Sequence, residues 1–120
     1  MAETQTYSGG CHCGKVRYEV DLELKQAISC NCSICRSRGL LLAFAPDAQF
    51  RLLSGEDQLQ DYRFNTGNLS HLFCRTCGVS SFARGRILGR GEPMQAINLR
   101  CVDGVDLDAL PLRKFDGASL

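Results

Sequence analysis

Cys30, Cys32 and Cys35 place three thiols within six residues, and Arg36 and Arg38 follow directly. On an extended backbone the side chains of residues two apart return to one face, so Cys30 and Cys32 point together. A tight turn or one helical turn at Ser33 and Ile34 then brings Cys35 back to them. Three thiolates leave a tetrahedral zinc one ligand short, and an open position is what separates a reactive zinc from a structural one. A small-molecule thiol filling that position would have its pKa lowered and its sulfur held beside an electrophile. The assembly would be strongly negative. Arg36 and Arg38 are therefore candidates to neutralise it or to pair with ligand carboxylates, a solvated surface position being the plainer reading of each.

Four further thiols fall into two pairs, Cys11 and Cys13 between Gly10 and Gly14, and Cys74 and Cys77 before Gly78. Two pairs brought together from distant points satisfy the closed tetrahedron of a structural zinc, which would tie folding to metal binding. This four-plus-three division uses all seven clustered thiols and gives two Zn²⁺ per chain. The competing division joins Cys74 and Cys77 to two of the central three and leaves the first pair idle; buried core cysteines or a redox pair are the blander alternative. Gly78 is placed to take positive φ, which turns backbone N–H groups toward the sulfurs. Lys15, Arg17 and Arg75 are close enough in sequence to offset a four-thiolate charge. His12 and His71 read as surface or outer-shell residues, although His71, three residues before Cys74, could itself supply a ligand. Cys101 stands apart in an apolar stretch and reads as core.

A chain of 120 residues with formal net charge +1 is expected to be one domain, residues 1–120, small enough to gain from a metal staple. That charge balance and few, scattered aromatics argue against nucleic-acid binding. Met1 to Ser8 holds neither a basic region nor an apolar run, and no stretch is long enough to span a bilayer, so no signal peptide and no membrane partner are expected. A cytoplasmic location follows as the expectation, and there thiols stay reduced.

The elements that must position these residues are short. Lys15 to Val20 alternates, with Val16, Tyr18 and Val20 inward, and a second extended run from Leu24 to Cys30 suggests a hairpin with it. Leu40 to Phe44 reads as a buried strand ended by Ala45-Pro46-Asp47. Phe50 to Leu53 and Leu59 to Phe64 read as strands separated by a turn at Ser54-Gly55-Glu56-Asp57, with another turn at Asn65 to Asn68. Leu69 to Phe73 and Val79 to Ala83 flank the second thiol pair as strands. Gly85 to Gly91 reads as a mobile loop whose Arg86 and Arg90 are either solvated or an anion clamp. Met94 to Cys101 is the last expected strand, with Ala96 or Ile97 and Leu99 in the core, and the tail from Val102 breaks into short pieces. Many short strands and hardly any helical period argue a mainly β domain.

In their order, Gly10-Cys11-His12-Cys13-Gly14, Cys30-Asn31-Cys32-Ser33-Ile34-Cys35-Arg36, Phe73-Cys74-Arg75-Thr76-Cys77-Gly78 and Ile97-Asn98-Leu99-Arg100-Cys101 resemble the glutathione-dependent formaldehyde-activating family, which also contains centromere protein V. The resemblance covers nearly the whole chain. It implies a β-tent fold of short antiparallel strands stapled by zinc, a structural zinc on four cysteines and a second zinc on the central three. It also implies addition of glutathione to formaldehyde to give S-hydroxymethylglutathione, a carbon-sulfur lyase reaction, with Arg36 and Arg38 as candidate glutathione contacts. Asn31 stands where family members often carry histidine. The rival reading is a non-catalytic zinc-stabilised binding module whose central site is filled by a protein ligand or water. Microtubule or chromatin association, by analogy with centromere protein V, ranks last because no long basic tail is present.

Overall fold

Val16, Tyr18 and Val20 are fully buried, as the alternation around them requires; Tyr18 and Val20 lie on the inner face of a strand that organises the core, and Val16 immediately precedes it. In the computed structural model, residues 4–64, 69–86 and 91–119 are described. The expected turn at Asn65 to Asn68, and most of the glycine- and arginine-rich stretch including Arg90, lie outside them.

Among the described residues ten strands form two sheets. The smaller has the order β1 (Gln5–Gly10), β2 (Arg17–Leu22), β5 (Phe50–Ser54). The larger runs β10 (Leu112–Phe115), β3 (Ala27–Cys30), β4 (Leu42–Pro46), β9 (Met94–Asn98), β8 (Phe82–Gly85), β7 (Leu69–Cys74), β6 (Leu59–Tyr62). One short helix, α1 (Ser33–Arg38), interrupts this mainly β architecture. Tyr18 of β2, Phe50 of β5 and Phe82 of β8 meet with ring centroids 4.8–5.7 Å apart, so the inner faces of both sheets share one apolar centre. Ile97 and Leu99, both buried, continue it. No helix among the described residues is long and apolar enough to cross a membrane.

Several expectations are corrected. The runs before and after Leu24 do not form a hairpin: β2 pairs with β1 and β5, whereas β3 pairs with β4 and β10. The pairing of β3 with β10 is parallel, an exception to the expected antiparallel pattern. β10 escapes a reading by periodicity because all four of its residues are exposed at a sheet edge, where no alternation of burial is imposed. β4 continues to Pro46 and presents Phe44 to solvent, so its apolar run is not uniformly buried. β8 begins only at Phe82, and β6 stops at Tyr62. β9 ends at Asn98, after which a 3-10 turn, Leu99–Cys101, carries Cys101 out of the strand to a half-buried position.

Candidate metal centres

The first thiol pair sits in the tight connection between β1 and β2. Cys11 N–H donates to the Val16 carbonyl at 3.1 Å and Val16 N–H donates to Cys11 Sγ at 3.3 Å, so the loop folds its own backbone donors around the sulfur. The second pair begins at the last residue of β7 and forms a similar knuckle. Gly78 N–H reaches the Cys74 carbonyl at 2.8 Å, Cys74 N–H reaches Val79 O at 3.1 Å, and Gly78 takes φ 80°. That is the left-handed conformation glycine adopts without a Cβ penalty.

The sulfurs of Cys11, Cys13, Cys74 and Cys77 lie within 4.8 Å of one another, a group that could hold a metal ion. Cys11 to Cys13 measures 3.6 Å and Cys13 to Cys74 measures 3.7 Å. A tetrahedron with metal–sulfur bonds of about 2.3 Å has sulfur–sulfur edges of about 3.8 Å, so the thiols already stand close to that spacing. A disulfide would need about 2.05 Å, and all eight cysteines are free. Burial would push Cys77 up, but the Val79 and Cys13 backbone N–H groups and the Cys11 and Cys74 thiols outweigh it and hold Cys77 at about 6. Cys74 is also lowered: burial opposes this, and the Cys77 and Thr76 N–H groups prevail. On Cys13 the Lys15 N–H pulls down, yet burial and the three neighbouring thiols push it up to about 11. Thiols this close could share one ion that takes the place of their protons.

The cations expected to offset this centre are partly engaged elsewhere. Lys15 Nζ donates to Thr76 Oγ1 at 3.4 Å, bridging the two knuckles. Arg17 is paired with Asp103. His12 is exposed, and His71, instead of lying at the surface, is buried on β7 with its ring centroid 5.0 Å from that of Phe64; neither belongs to either thiol group. Cys101 has neighbours that sequence reading did not anticipate. Asn98 Nδ2 donates to its sulfur at 3.5 Å, and burial, then Cys11 and Cys77, raise it to about 11.

Cys30, Cys32 and Cys35 form the second group, again with sulfurs within 4.8 Å, and no fourth Cys, His, Asp or Glu of the described residues joins them. Cys30 ends β3, Cys32 is the residue preceding α1, and Cys35 is buried on the first turn of that helix, so of the tight turn and the helical turn expected the helical one is realised. Burial opposes ionisation of Cys32, but the Cys35 N–H, the Cys35 and Cys30 thiols and the Ile34 N–H lower it overall. Burial, then Cys32, raises Cys35. Arg36 is exposed. Arg38 is half-buried, donating from Nη1 to Ser80 Oγ at 3.1 Å with its guanidinium 5.7 Å from the Phe73 ring centroid. With Ser33, Ile34, Ser37, Tyr62 and Phe64 it lines a cavity of about 290 Å³. Ile34 and Phe64 also pack in the cluster that contains Cys30, Cys32 and Cys35, although none of the three thiols lines the cavity itself.

These features define a small, mainly β protein with one four-thiol cluster joining its sheets and a separate three-thiol cluster at the start of α1. Residues 6–111 match the glutathione-dependent formaldehyde-activating enzyme family, and the chain belongs to that family. It is also similar to a Rhodobacter sphaeroides protein of known crystal structure, a structural-genomics target, at 34% identity and TM-score 0.76, covering 88% of this chain and 99% of that one.

Proposed function

We propose that this chain is one zinc-binding domain and a zinc-dependent enzyme of the carbon-sulfur lyase type acting on glutathione adducts. The observation that carries the reading is the three-thiol group of Cys30, Cys32 and Cys35, which the described residues leave one ligand short of a tetrahedron. Cys11, Cys13, Cys74 and Cys77 hold the structural ion. Zinc at the three-thiol site supplies a Lewis acid that favours the thiolate form of a bound thiol. Cys32, lowered by the helix N–H groups, and Cys30 and Cys35 would hold that ion, and the cavity along α1 offers space for the rest of the tripeptide. Exposed Arg36 is free to meet a carboxylate, whereas Arg38, fixed by Ser80 and Phe73, presents a pre-positioned cation at the cavity wall. In the reaction the glutathione sulfur pair forms a bond to the aldehyde carbon, the carbonyl π pair moves to oxygen, and the proton given up by the thiol ends on that oxygen. Eight free thiols suit a reducing compartment, the cytoplasm.

Calorimetry on the zinc-loaded protein tests this. Glutathione should bind, an analogue with hydrogen in place of the thiol should bind at least tenfold more weakly, and Cys35→Ser should abolish the difference while the domain stays folded. Equal affinity for glutathione and the analogue would remove thiol activation. Thiol-dependent binding with no turnover of formaldehyde or a larger aldehyde would favour the non-catalytic binding module.

A further inference from the structure

Asn31, between the first two thiols of the central group, is exposed yet makes three hydrogen bonds to one distant turn. Its N–H donates to the Phe115 carbonyl at 3.2 Å, its Nδ2 donates to Asp116 Oδ1 at 3.0 Å, and its Oδ1 accepts from Ala118 N–H at 2.9 Å. Ser119 Oγ closes the turn on Asp116 Oδ2 at 2.7 Å. The parallel pairing of β10 with β3 sets Phe115 beside Cys30, so the chain leaving β10 must pass over the thiols. Gly117 passes close to them. A Cβ at position 117 would stand 2.5 Å from Cys30 Sγ and 3.3 Å from Cys32 Cβ. Only a residue without a side chain lets the backbone cross there while Cys30 keeps its rotamer.

We propose that Asn31 is a positioning residue of the three-thiol site: it clamps residues 116–118 so that the Gly117 backbone walls off one side of Cys30 and holds that sulfur in its ligating rotamer. The inference rests on the proposed metal at this site. Its logic is chemical. An asparagine side chain offers one carbonyl acceptor and an amide donor on the same short stem, and this turn presents the complementary pair, the Ala118 N–H and the Asp116 carboxylate. A ligand sulfur backed by a fixed wall releases its ion slowly, and it is shielded from the electrophile that the bound substrate thiol must meet. The approach of a thiol ligand is then confined to the side away from residues 116–118, which makes Gly117 a determinant of what the site admits.

The test follows zinc release from fully loaded protein to an excess of a chromogenic chelator. Two phases are expected, a fast one from the three-thiol site and a slow one from the four-thiol site. Asn31→Ala should speed the fast phase about tenfold, the lower end of what outer-shell ligand partners contribute, and leave the slow phase and the melting temperature unchanged. Gly117→Ala should speed it similarly. Asn31→Asp sets two carboxylates together and should also be fast. Adding Asp116→Asn to it restores a donor facing an acceptor and should return the rate to that of the parent. A fast phase indifferent to Asn31→Ala, or a double variant as fast as Asn31→Asp, would overturn the clamp. If the parent releases only one zinc, the proposed second metal fails, and alkylation by iodoacetamide with mapping of the modified cysteines decides the clamp alone. Cys30 should react more slowly than Cys32 in the parent and about tenfold faster in Asn31→Ala, whereas an unchanged Cys30 rate would refute it.

Discussion

His71 shows how little of a residue's role its type announces. Three positions before Cys74 it could have been a ligand, yet β7 turns it toward Phe64 and Tyr62, whose rings are themselves stacked with centroids 5.8 Å apart. Burial, then the Arg38 cation, lowers its pKa below 6.5, with Asp61 opposing. A folded-state pKa below the unfolded one means that the unfolded chain takes up the proton first. Its contribution is therefore neutral above about pH 6.5 and becomes increasingly destabilising as pH falls below it. His71→Phe keeps a ring against Phe64 but cannot titrate. Melting temperatures of the two zinc-loaded proteins should diverge between about pH 7.5 and 5.5, the parent losing more stability, because acid loss of metal is common to both. Parallel curves would show that His71 stays neutral without cost.

α1 is six residues long, too short to persist by itself, and Cys32 at its N-cap gives it no side-chain cap. Gly39, at φ 65°, ends it in the left-handed conformation, with Arg36 and Arg38 in the last turn. Its anchorage is tertiary. Arg38 reaches Ser80, whose hydroxyl donates to Leu72 O at 2.7 Å, so one side chain ties the helix to β7 and to the approach to β8. Arg38→Ala removes a hydrogen bond and a ring contact and should lower stability by about 1–2 kcal/mol. Arg36→Ala, two positions away on an exposed site, should stay within about 0.5 kcal/mol. Denaturant unfolding of both variants makes the comparison, and equal losses would mean that Arg38 does not anchor the helix.

Across the whole molecule the four-thiol centre joins Cys13 to Cys74, 61 residues apart, and thereby the loop between β1 and β2 to the far end of the larger sheet. A metal ion on these four thiols would close a loop of that length and remove roughly 4 kcal/mol of unfolded-state entropy, before any bond energy of its own is added. The three-thiol centre closes only a local turn. Cys11→Ser or Cys77→Ser should therefore lower thermal stability severely, and Cys32→Ser far less. Similar melting temperatures for all three variants would mean that the long-range staple is misassigned.

The sequence alone determined the three local thiol clusters, because ligand spacing in a knuckle is a local matter of a few backbone dihedrals, whereas the meeting of the first pair with Cys74 and Cys77 was only one of two divisions it offered and was decided by the fold. Gly78 at positive φ, and the return of Cys35 to the other two thiols by a turn or a helical turn, were legible for the same reason. The inward face of β2 was legible too, since a strand's period of two does not depend on its partner. What only the tertiary structure decided was which distant segments meet. β10 has no buried face to mark it, and its parallel place beside β3 carries Asp116 and Gly117 to Asn31 and Cys30. Arg38 likewise looks like any surface cation until β7 brings Phe73, and the loop before β8 brings Ser80, against it. Such pairings follow from the burial and hydrogen bonding of the whole chain, so no short stretch of sequence contains them.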